Sequence, residues 1–357
     1  MSKGSVCVRV KKIHGEKAVI LASKLKMVDR ELEIQRNEDF VYIPFVHHPS
    51  ESELEAFRKQ VPDCKFLTYA FSGRKKKQTK TFGELLEDKL PPSLSASLPR
   101  SIDFVGDIAI VEVPTELDAY KSIIGEAVLK AHKNVRTVLA KAGAVSGTYR
   151  LRGLRVIAGE AETETVHKEY GCKYFLDLAK AYFSPRLSYE HNRVASLVKE
   201  GETVVDLFAG VGPFSILIAK TRENVKVHAV DVNPNAVEFL KKNVRLNRVE
   251  RKICPIMGDA KRIVKQRLSG VANRVVMNLP EKAVEFVDSA CEAIKPTGGI
   301  VHLYSFVNAS VSLENVTRQF IDAVKESGRG VEKILFSRFV RATAPYEWQA
   351  VIDAKIR

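Results

Sequence analysis

The feature that most constrains the fold is the segment V-V-D-L-F-A-G-V-G-P-F-S-I, residues 204–216. Two β-branched residues lead to Asp206, a turn of small residues contains Gly210 and Gly212, and an apolar run then begins. This order predicts a strand, a glycine loop and a helix, which is how open α/β sheets bind nucleotide-like ligands. Glycine tolerates positive φ and lets a ligand approach the backbone, so both glycines are candidate cofactor contacts.

Three later segments predict strands that also end in polar residues. The runs V-K-V-H-A-V-D, I-C-P-I-M-G-D and N-R-V-V-M-N end at Asp231, Asp259 and Asn278. Asp231 lies at the distance from Gly210 that is usual for a carboxylate binding a ribose hydroxyl pair, and Asp259 could meet an adenine amine. Each acid alone could be a helix N-cap. Four polar strand ends in order instead predict one ligand site at the carboxyl edge of a sheet.

The residues around the glycine loop indicate which nucleotide is bound. A dinucleotide fingerprint requires a third glycine, but Ser215 follows the second one, and no G-x-x-x-x-G-K-[ST] phosphate loop occurs. Asp206 would repel a pyrophosphate, whereas it suits a cationic amino-acid moiety. The pattern D-x-x-x-G-x-G, the later acids and Asn-Leu-Pro at 278–280 resemble the class I S-adenosylmethionine methyltransferases. That resemblance implies S-adenosylmethionine as the cofactor.

Composition indicates which kind of partner and which cellular compartment to expect. A net charge of +14 over 357 residues favours a polyanionic partner such as nucleic acid, although a lysine-rich, heat-adapted surface is the alternative. The five cysteines are scattered with no C-x-x-C pair, which argues against zinc and disulfides and favours a reducing cytosol. No apolar run is long enough to cross a bilayer, and no signal peptide is recognisable, so we expect a cytoplasmic protein without a membrane partner.

Breaks in the hydrophobic pattern predict three domains of α/β and α+β class. Residues 1–72 form a small α+β domain, and 73–80 form a basic linker or, alternatively, an arm that contacts phosphates. Residues 81–177 form a second α+β domain. Residues 178–357 form a Rossmann-like domain with a seven-stranded sheet, whose last two strands are an antiparallel pair.

Local spacing and turn residues predict the elements within these domains. In the first domain they predict short strands at 5–10 and 18–21 around a turn at 15–17, followed by a basic helical stretch, a strand at 40–45 and a helix at 52–60. In the second domain they predict an opening helix at 81–90. In the third they predict a helix that begins with Ser188 as its N-cap and runs to residue 199.

Several motifs together resemble the archaeal and eukaryotic tRNA (guanine37-N1)-methyltransferase family. The resemblance covers nearly the whole chain, and its most distinctive part is Y-F-S-P-R-L just before the glycine loop. The motifs lie at residues 28–34, 42–44, 105–111, 149–150, 158–160, 182–187 with 190, 206–214 and 278–280.

The resemblance implies a role for particular residues in methyl transfer to N1 of the guanosine beside the anticodon. It places the catalytic residues of the family at Arg150, Tyr182, Glu190 and Asn278, and it adds Arg186 and Phe208 to the cofactor contacts. His191 departs from the family pattern, in which an arginine is expected.

Elementary chemistry agrees with these roles. Guanine N1 carries a proton that must leave before or as N1 attacks the methyl group, and the carboxylate of Glu190 is a suitable base. Negative charge then develops on O6, which the guanidinium of Arg150 would stabilise. The alternative for both residues is that they only face solvent. The family resemblance further implies that the first domain grips a distant part of the tRNA, and we expect the other two to enclose the anticodon loop around a flipped base. By default we expect a monomer.

Two other functions stay open at this point. The enzyme could methylate C7 of the wyosine-type intermediate 4-demethylwyosine, or another RNA base, because the short Asn-Leu-Pro-Glu-Lys-Ala pattern also fits such a subgroup. From another class, the chain could be a non-catalytic RNA-binding protein. The intact acids, glycines and Asn278 argue against a degenerate site.

Overall fold

A computed structural model describes residues 2–73, 81–87, 89–99, 101–143, 147–308, 312–344 and 346–357, with the side chains of residues 2 and 3 excepted. The chain divides into two compact units, Met1–Thr79 and Lys80–Arg357. Most of the basic segment predicted as a linker or a phosphate-contacting arm lies outside the described residues.

The first unit is a four-stranded antiparallel sheet with two helices. The strand order is β2-β3-β1-β4, and β1 pairs with both β3 and β4. The predicted strand at 40–45 and helix at 52–60 are confirmed. The elements are β1 (Ser2–Lys11), α1 (Gly15–Lys24), β2 (Gln35–Arg36), β3 (Phe40–Pro44), α2 (Glu51–Gln60) and β4 (Lys65–Ser72).

Helix α1 corrects two predictions for the first unit. The sequence predicted a turn at 15–17 and a strand at 18–21, but these residues are helical, and the basic stretch after them forms turns and β2 instead. Ala18, Leu21 and Ala22 are buried together because the spacing i, i+3, i+4 places them on one helical face. A four-residue window fits both periods, so the tertiary contacts decided the outcome.

The second unit begins with a four-stranded sheet and a hairpin. The strand order is β5-β6-β7-β8, in which β6 and β7 are parallel and α3 makes the crossover. The helix predicted at 81–90 is wrong, because its described residues form turns, and Pro91 and Pro92 oppose a continuing helix. The elements are β5 (Ile102–Val105), β6 (Ile108–Val111), α3 (Lys121–Ala131), β7 (Thr137–Lys141), β8 (Leu154–Gly159), β9 (Glu164–Glu169) and β10 (Cys172–Asp177).

The remainder of the second unit confirms the predicted seven-stranded α/β sheet. The order is β13-β12-β11-β14-β15-β17-β16, and β17 is antiparallel to both its neighbours. The elements are α4 (Ser188–Leu197), β11 (Thr203–Asp206), α5 (Pro213–Thr221), β12 (Lys226–Asp231), α6 (Pro234–Leu246), β13 (Ile253–Met257), α7 (Ala260–Ile263), β14 (Arg274–Met277), α8 (Val287–Ala293), β15 (Gly299–Asn308), α9 (Leu313–Glu326), β16 (Val331–Ala344) and β17 (Glu347–Ile356).

The larger sheet is buried on both faces, and its strand order creates the site. Val204 packs into the apolar cluster on one face and Val205 into the cluster on the other. The order reverses between β11 and β14, so a crevice opens beyond their carboxyl ends. One local prediction fails nearby: Ser188 is the first residue of α4, and the N-cap position belongs to Leu187, which makes no side-chain cap. In the described part of the chain, no helix combines the length and apolarity needed to cross a bilayer.

Candidate active site

A cavity of about 620 Å³ lies at the carboxyl ends of β11, β12 and β14. It joins most of the predicted cofactor contacts to most of the predicted catalytic residues. The predicted residues that line it are Arg150, Tyr182, Phe208, Gly210, Asp231, Asp259 and Asn278. Asp206, Gly212, Arg186 and Glu190 do not line it.

The glycine loop and Asp231 form one side of this cavity. Gly210 has a φ of 54°, and its N–H donates to Asp231 Oδ2 over 2.6 Å. A side chain at Gly210 would meet only the Tyr182 carbonyl oxygen, at 3.8 Å, so the loop leaves open space on the cavity side. Asp231 Oδ1 accepts from the N–H of Asn233, and burial raises the pKa of Asp231. This carboxylate at a strand end beside an open glycine loop fits a ribose diol.

Gly212 serves packing instead. Its φ is 95°, and a Cβ there would lie 2.4 Å from Leu240 Cδ1 and 3.0 Å from Ile216 Cδ1. The absent side chain therefore faces helices α5 and α6, and lets them approach the loop closely.

Asp206 is fully buried under the loop, and only one of its two carboxylate oxygens accepts a side-chain hydrogen bond from the residues described. Its Oδ2 accepts from Ser215 Oγ over 2.7 Å, while Oδ1 has no hydrogen-bond partner among the residues described. Burial raises the pKa of Asp206 to about 7. Because Asp206 does not line the cavity, it would act on a ligand through its charge, which favours the cationic amino-acid part of S-adenosylmethionine over a phosphate.

Asp259 and Phe208 complete the cofactor side. Asp259 Oδ1 accepts from the N–H of Arg262 and so caps α7, and the residue also lines the cavity. The two interpretations of this acid, helix cap and ligand contact, are therefore compatible. Phe208 packs edge-on against Phe286 with ring centroids 5.0 Å apart, which gives the cavity an apolar wall.

Arg150 and Tyr182 contact each other, and both line the cavity together with Asn278. Arg150 has a φ of 54°, an uncommon conformation for a residue with a side chain. Its guanidinium lies 5.3 Å from the centre of the Tyr182 ring, and Nη2 lies 3.4 Å from Glu281 Oε1. Its Nη1 is buried without a partner among the described residues. Within the part of the chain that the structure describes, this guanidinium thus keeps one unused donor near Glu281, just after β14.

Glu190 lies just outside the cavity, in a buried ion-pair network. Its Oε2 accepts from Arg193 Nε and from the Tyr304 hydroxyl, each over 2.8 Å, and its Oε1 accepts from Arg338. Burial and the adjacent Glu190 keep the pKa of Tyr304 well above its usual value, so the phenol stays protonated and donates. Arg193 also binds Asp353, which ties this network to β17.

Arg186 and His191 occupy different surroundings. Arg186 Nε lies 2.5 Å from Asp103 Oδ1. This contact connects the segment that precedes α4 to strand β5. His191 is buried, lines the cavity, and its Nδ1 lies 2.7 Å from Glu169 Oε1. A buried acid thus accommodates the histidine that stands where arginine was expected.

Sequence analysis missed Arg341 and Gln349, which line the cavity from β16 and β17. Arg341 Nε donates to Gln349 Oε1 over 3.0 Å, and Gln349 Nε2 lies 3.3 Å from Asn278 Oδ1. No motif marks either residue, because a contact across 71 residues of chain leaves no local signal.

The strand order and the site at its reversal point define a class I S-adenosylmethionine-dependent methyltransferase. Family models described as TRM5/TYW2 methyltransferase domain, TYW2 N-terminal domain and tRNA methyltransferase 5 N-terminal domain match residues 165–332, 82–163 and 7–53. The tRNA (guanine(37)-N(1))-methyltransferase Trm5b of Pyrococcus abyssi is 42% identical over 267 residues, which are 75% of this chain and 78% of that protein. The chain belongs to the TRM5/TYW2 methyltransferase family, and the predicted resemblance is confirmed.

Other relatives show the range of this family. The tRNA 4-demethylwyosine(37)-methyltransferase Taw21 of Saccharolobus solfataricus is 38% identical over 72% of this chain and 94% of its own. A solved complex of aTrm5 with tRNALeu superposes with a TM-score of 0.68 at 31% identity, covering 99% and 100% of the two chains. TYW2 of M. jannaschii in complex with AdoMet gives a TM-score of 0.56 at 28% identity, covering 72% and 99%.

Proposed function

We propose that this protein transfers a methyl group from S-adenosylmethionine to N1 of the guanosine at position 37 of tRNA, next to the anticodon. The observation that carries the proposal is the cavity that joins Gly210 and Asp231 to Arg150 and Asn278. The part of the cavity suited to the cofactor thus adjoins the part suited to the base at the carboxyl edge of the sheet. In the second part, one guanidinium N–H has no partner among the described residues. The relatives named for this reaction support the same assignment.

Residues of the glycine-loop side would hold the cofactor. Asp231 would bind the ribose hydroxyls, and Phe208 and Asp259 would border the adenine. The buried charge of Asp206 would favour the cationic amino-acid end from beneath the loop. When bound, S-adenosylmethionine would supply an electrophilic methyl group, whose bond to the sulfonium sulfur breaks so that a neutral thioether is the leaving group. The protein's own part is to orient the base and to take up its proton.

Arg150, Tyr182 and Asn278 would hold the guanine. Charge builds on O6 as the N1 proton leaves, and Arg150 Nη1 is the buried donor available to meet it. Tyr182 lies under the Arg150 guanidinium and restricts where that group can point. The N1 proton passes to Glu190 as the N1–methyl bond forms.

Glu190 must first lose one of its present partners and gain access to the cavity, which it does not line in this structure. Of the two guanidinium groups that bind it, Arg338 is the more exposed, with 37% of its side chain accessible against 12% for Arg193. Release of Arg338 would free Oε1, while Arg193 and Tyr304 would keep Oε2 in place. Binding of the tRNA phosphates would compete for the same guanidinium.

The tRNA would contact all three predicted domains. We propose residues 178–357 as the catalytic domain and 81–177 as an RNA-binding domain, because the four-stranded sheet and the β9–β10 hairpin of the second unit are separate from its seven-stranded sheet. The first domain, residues 1–72, would bind a distant region of the tRNA. We propose a monomer, and the five free cysteines support a reducing cytoplasm.

Nucleoside mass spectrometry after incubation of unmodified tRNA with labelled cofactor tests this function. We expect 1-methylguanosine at position 37, and we expect the Glu190→Gln enzyme to bind cofactor normally but to transfer the methyl group about 10²–10⁴-fold more slowly. A higher pH should partly restore that rate, because more guanine N1 is then already deprotonated. An unmodified position 37 would refute the proposal, and a wild-type rate in Glu190→Gln would refute the role of the base.

Methylation of 4-demethylwyosine is the second candidate, favoured by the similarity to Taw21. A tRNA that carries this intermediate at position 37 decides between the two when it is offered in parallel with the guanosine form. Transfer to the intermediate alone would replace the proposed substrate, and transfer to both would extend it.

A further inference from the structure

The C-terminal hairpin brings a polar pair against Asn278. Gln349 is 1% exposed, and its side chain lies between Arg341 on one side and Asn278 on the other. All three residues line the cavity. The N–H of Phe306 donates to the Pro280 carbonyl over 3.0 Å, which fixes the loop after Asn278 to β15, the strand that pairs with β17.

A β-bulge places Arg341 on the cavity face. In an unbulged strand, Phe339 and Arg341 would lie on the same face, since side chains alternate. The register shift between them pairs Phe339 with Ala350 and Arg341 with Gln349, two neighbours whose side chains point to opposite faces of β17. The extra residue therefore turns Arg341 towards Gln349 and away from the side that holds Phe339.

The direction of these hydrogen bonds follows from chemistry. A guanidinium can only donate, so the oxygen of Gln349 must face Arg341. The amide NH₂ of Gln349 then faces Asn278, and the oxygen of Asn278 must accept from it. The NH₂ of Asn278 is what remains to face the cavity.

We propose that Arg341 and Gln349 are positioning residues that fix which end of the Asn278 amide faces the base, and that they thereby select a base with an acceptor at C6. This inference rests on the proposed function at guanosine 37. Guanine carries the acceptor O6 at that position, whereas adenine carries an amine that donates. An Asn278 NH₂ that faces the cavity can donate to guanine O6, whereas it opposes the adenine amine, which is also a donor.

Reversing the pair tests the inference. In Gln349→Glu, both oxygens of the new carboxylate accept, so Asn278 must turn its NH₂ towards that carboxylate and its oxygen towards the base. Arg341→Glu produces the same reversal from a less buried position, because Gln349 then donates to the substituted side chain and turns its oxygen towards Asn278. Arg341→Lys is the matched control, since an ammonium group also only donates.

We would measure single-turnover methyl transfer to tRNA transcripts with guanosine or adenosine at position 37, together with cofactor affinity by calorimetry. Both reversing variants should bind cofactor like the wild type, should methylate guanosine roughly 10–100-fold more slowly, and should show a lower guanosine-to-adenosine rate ratio. Arg341→Lys should keep the wild-type ratio.

The outcomes separate this inference from the proposed function. A wild-type enzyme that leaves guanosine 37 transcripts unmodified would refute the function itself. A wild-type enzyme that methylates guanosine 37, with an unchanged rate and ratio in two folded reversing variants, would refute only the role of Arg341 and Gln349. A loss of the ratio in Arg341→Lys equal to that in Arg341→Glu would also refute it, because packing rather than hydrogen-bond direction would then be responsible.

Discussion

Asp206 shows how one residue can serve the site at the expense of stability. It is fully buried at the end of β11, and burial raises its pKa from 3.8 to about 7. Between these two values the folded protein binds a proton at this carboxyl and the unfolded chain does not. The free energy of unfolding therefore falls as pH rises through this range, by up to about 4 kcal/mol for a single group.

We expect Asp206→Asn to stabilise the protein without cofactor at pH 8, by up to about 4 kcal/mol, because the amide needs no ionisation. The gain should shrink as pH falls towards 5, where the wild-type carboxyl is protonated in the folded state. Affinity for S-adenosylmethionine should decrease in the same variant, since its cationic end loses a negative partner. Urea denaturation between pH 5 and pH 8 and calorimetry with cofactor measure the two effects.

Asp259→Asn provides the control for this prediction. Asp259 is exposed, and asparagine caps a helix about as well as aspartate. The Asp259→Asn variant should therefore have a free energy of unfolding close to that of the wild type across the pH range. Equal stability of Asp206→Asn and wild type at pH 8 would contradict the prediction, because the buried carboxylate would then ionise at no cost.

The loop between β11 and α5 is an element in which two glycines have different tasks. Gly210 leaves space on the cavity side, whereas Gly212 lets Leu240 of α6 approach the backbone. We expect Gly212→Val to lower the free energy of unfolding by about 2–5 kcal/mol, from a strained φ and from overlap with Leu240. Thermal and chemical denaturation measure the change.

Gly171 offers a matched position for this test. It has a φ of 77° in the β9–β10 turn, and a Cβ there would meet nothing within 4 Å. Gly171→Val should therefore show only the conformational part of the loss. A Gly212→Val protein with wild-type stability but no cofactor binding would instead make Gly212 the direct cofactor contact that the sequence predicted.

The elements that sequence predicted best are those with a strong local signal. The runs that end at Asp206 and Asn278 carry apolar residues on both faces, and the run that ends at Asp231 alternates buried apolar residues with Lys226 and His228. Both patterns are typical of strands in a sheet, so the strand-end site followed from them. The 18–21 stretch failed because four residues do not separate a period of 2.0 from one of 3.6. Arg341 and Gln349 could not be predicted, because a bulge deep in β16 determines where Arg341 points.

At the scale of the whole molecule, charge should govern how the protein meets RNA. The net charge of +14 predicts tRNA affinity that falls steeply with salt, because each phosphate contact releases counterions. A variant that begins near Thr81 should keep cofactor affinity, since the whole cavity lies in the second unit. It should bind tRNA more weakly and with a shallower salt dependence.

Filter binding of both proteins over a range of salt concentrations measures these two quantities. Cofactor calorimetry serves as the control that the shortened chain is folded. An affinity and a salt slope equal to those of the full-length protein would show that residues 1–80 do not contact tRNA.

The position of β17 in the sheet also determines when, during synthesis of the chain, the active site can form. β17 lies between β15 and β16, yet both of these strands precede it in the chain. On the ribosome, β15 and β16 emerge before β17. They must therefore leave room between them for a strand that is synthesised after both. Gln349 cannot reach Asn278, and Asp353 cannot reach Arg193, until that strand has been inserted. A nascent chain that lacks β17 therefore has an incomplete base-binding wall, and methylation competence appears only when synthesis has passed this strand.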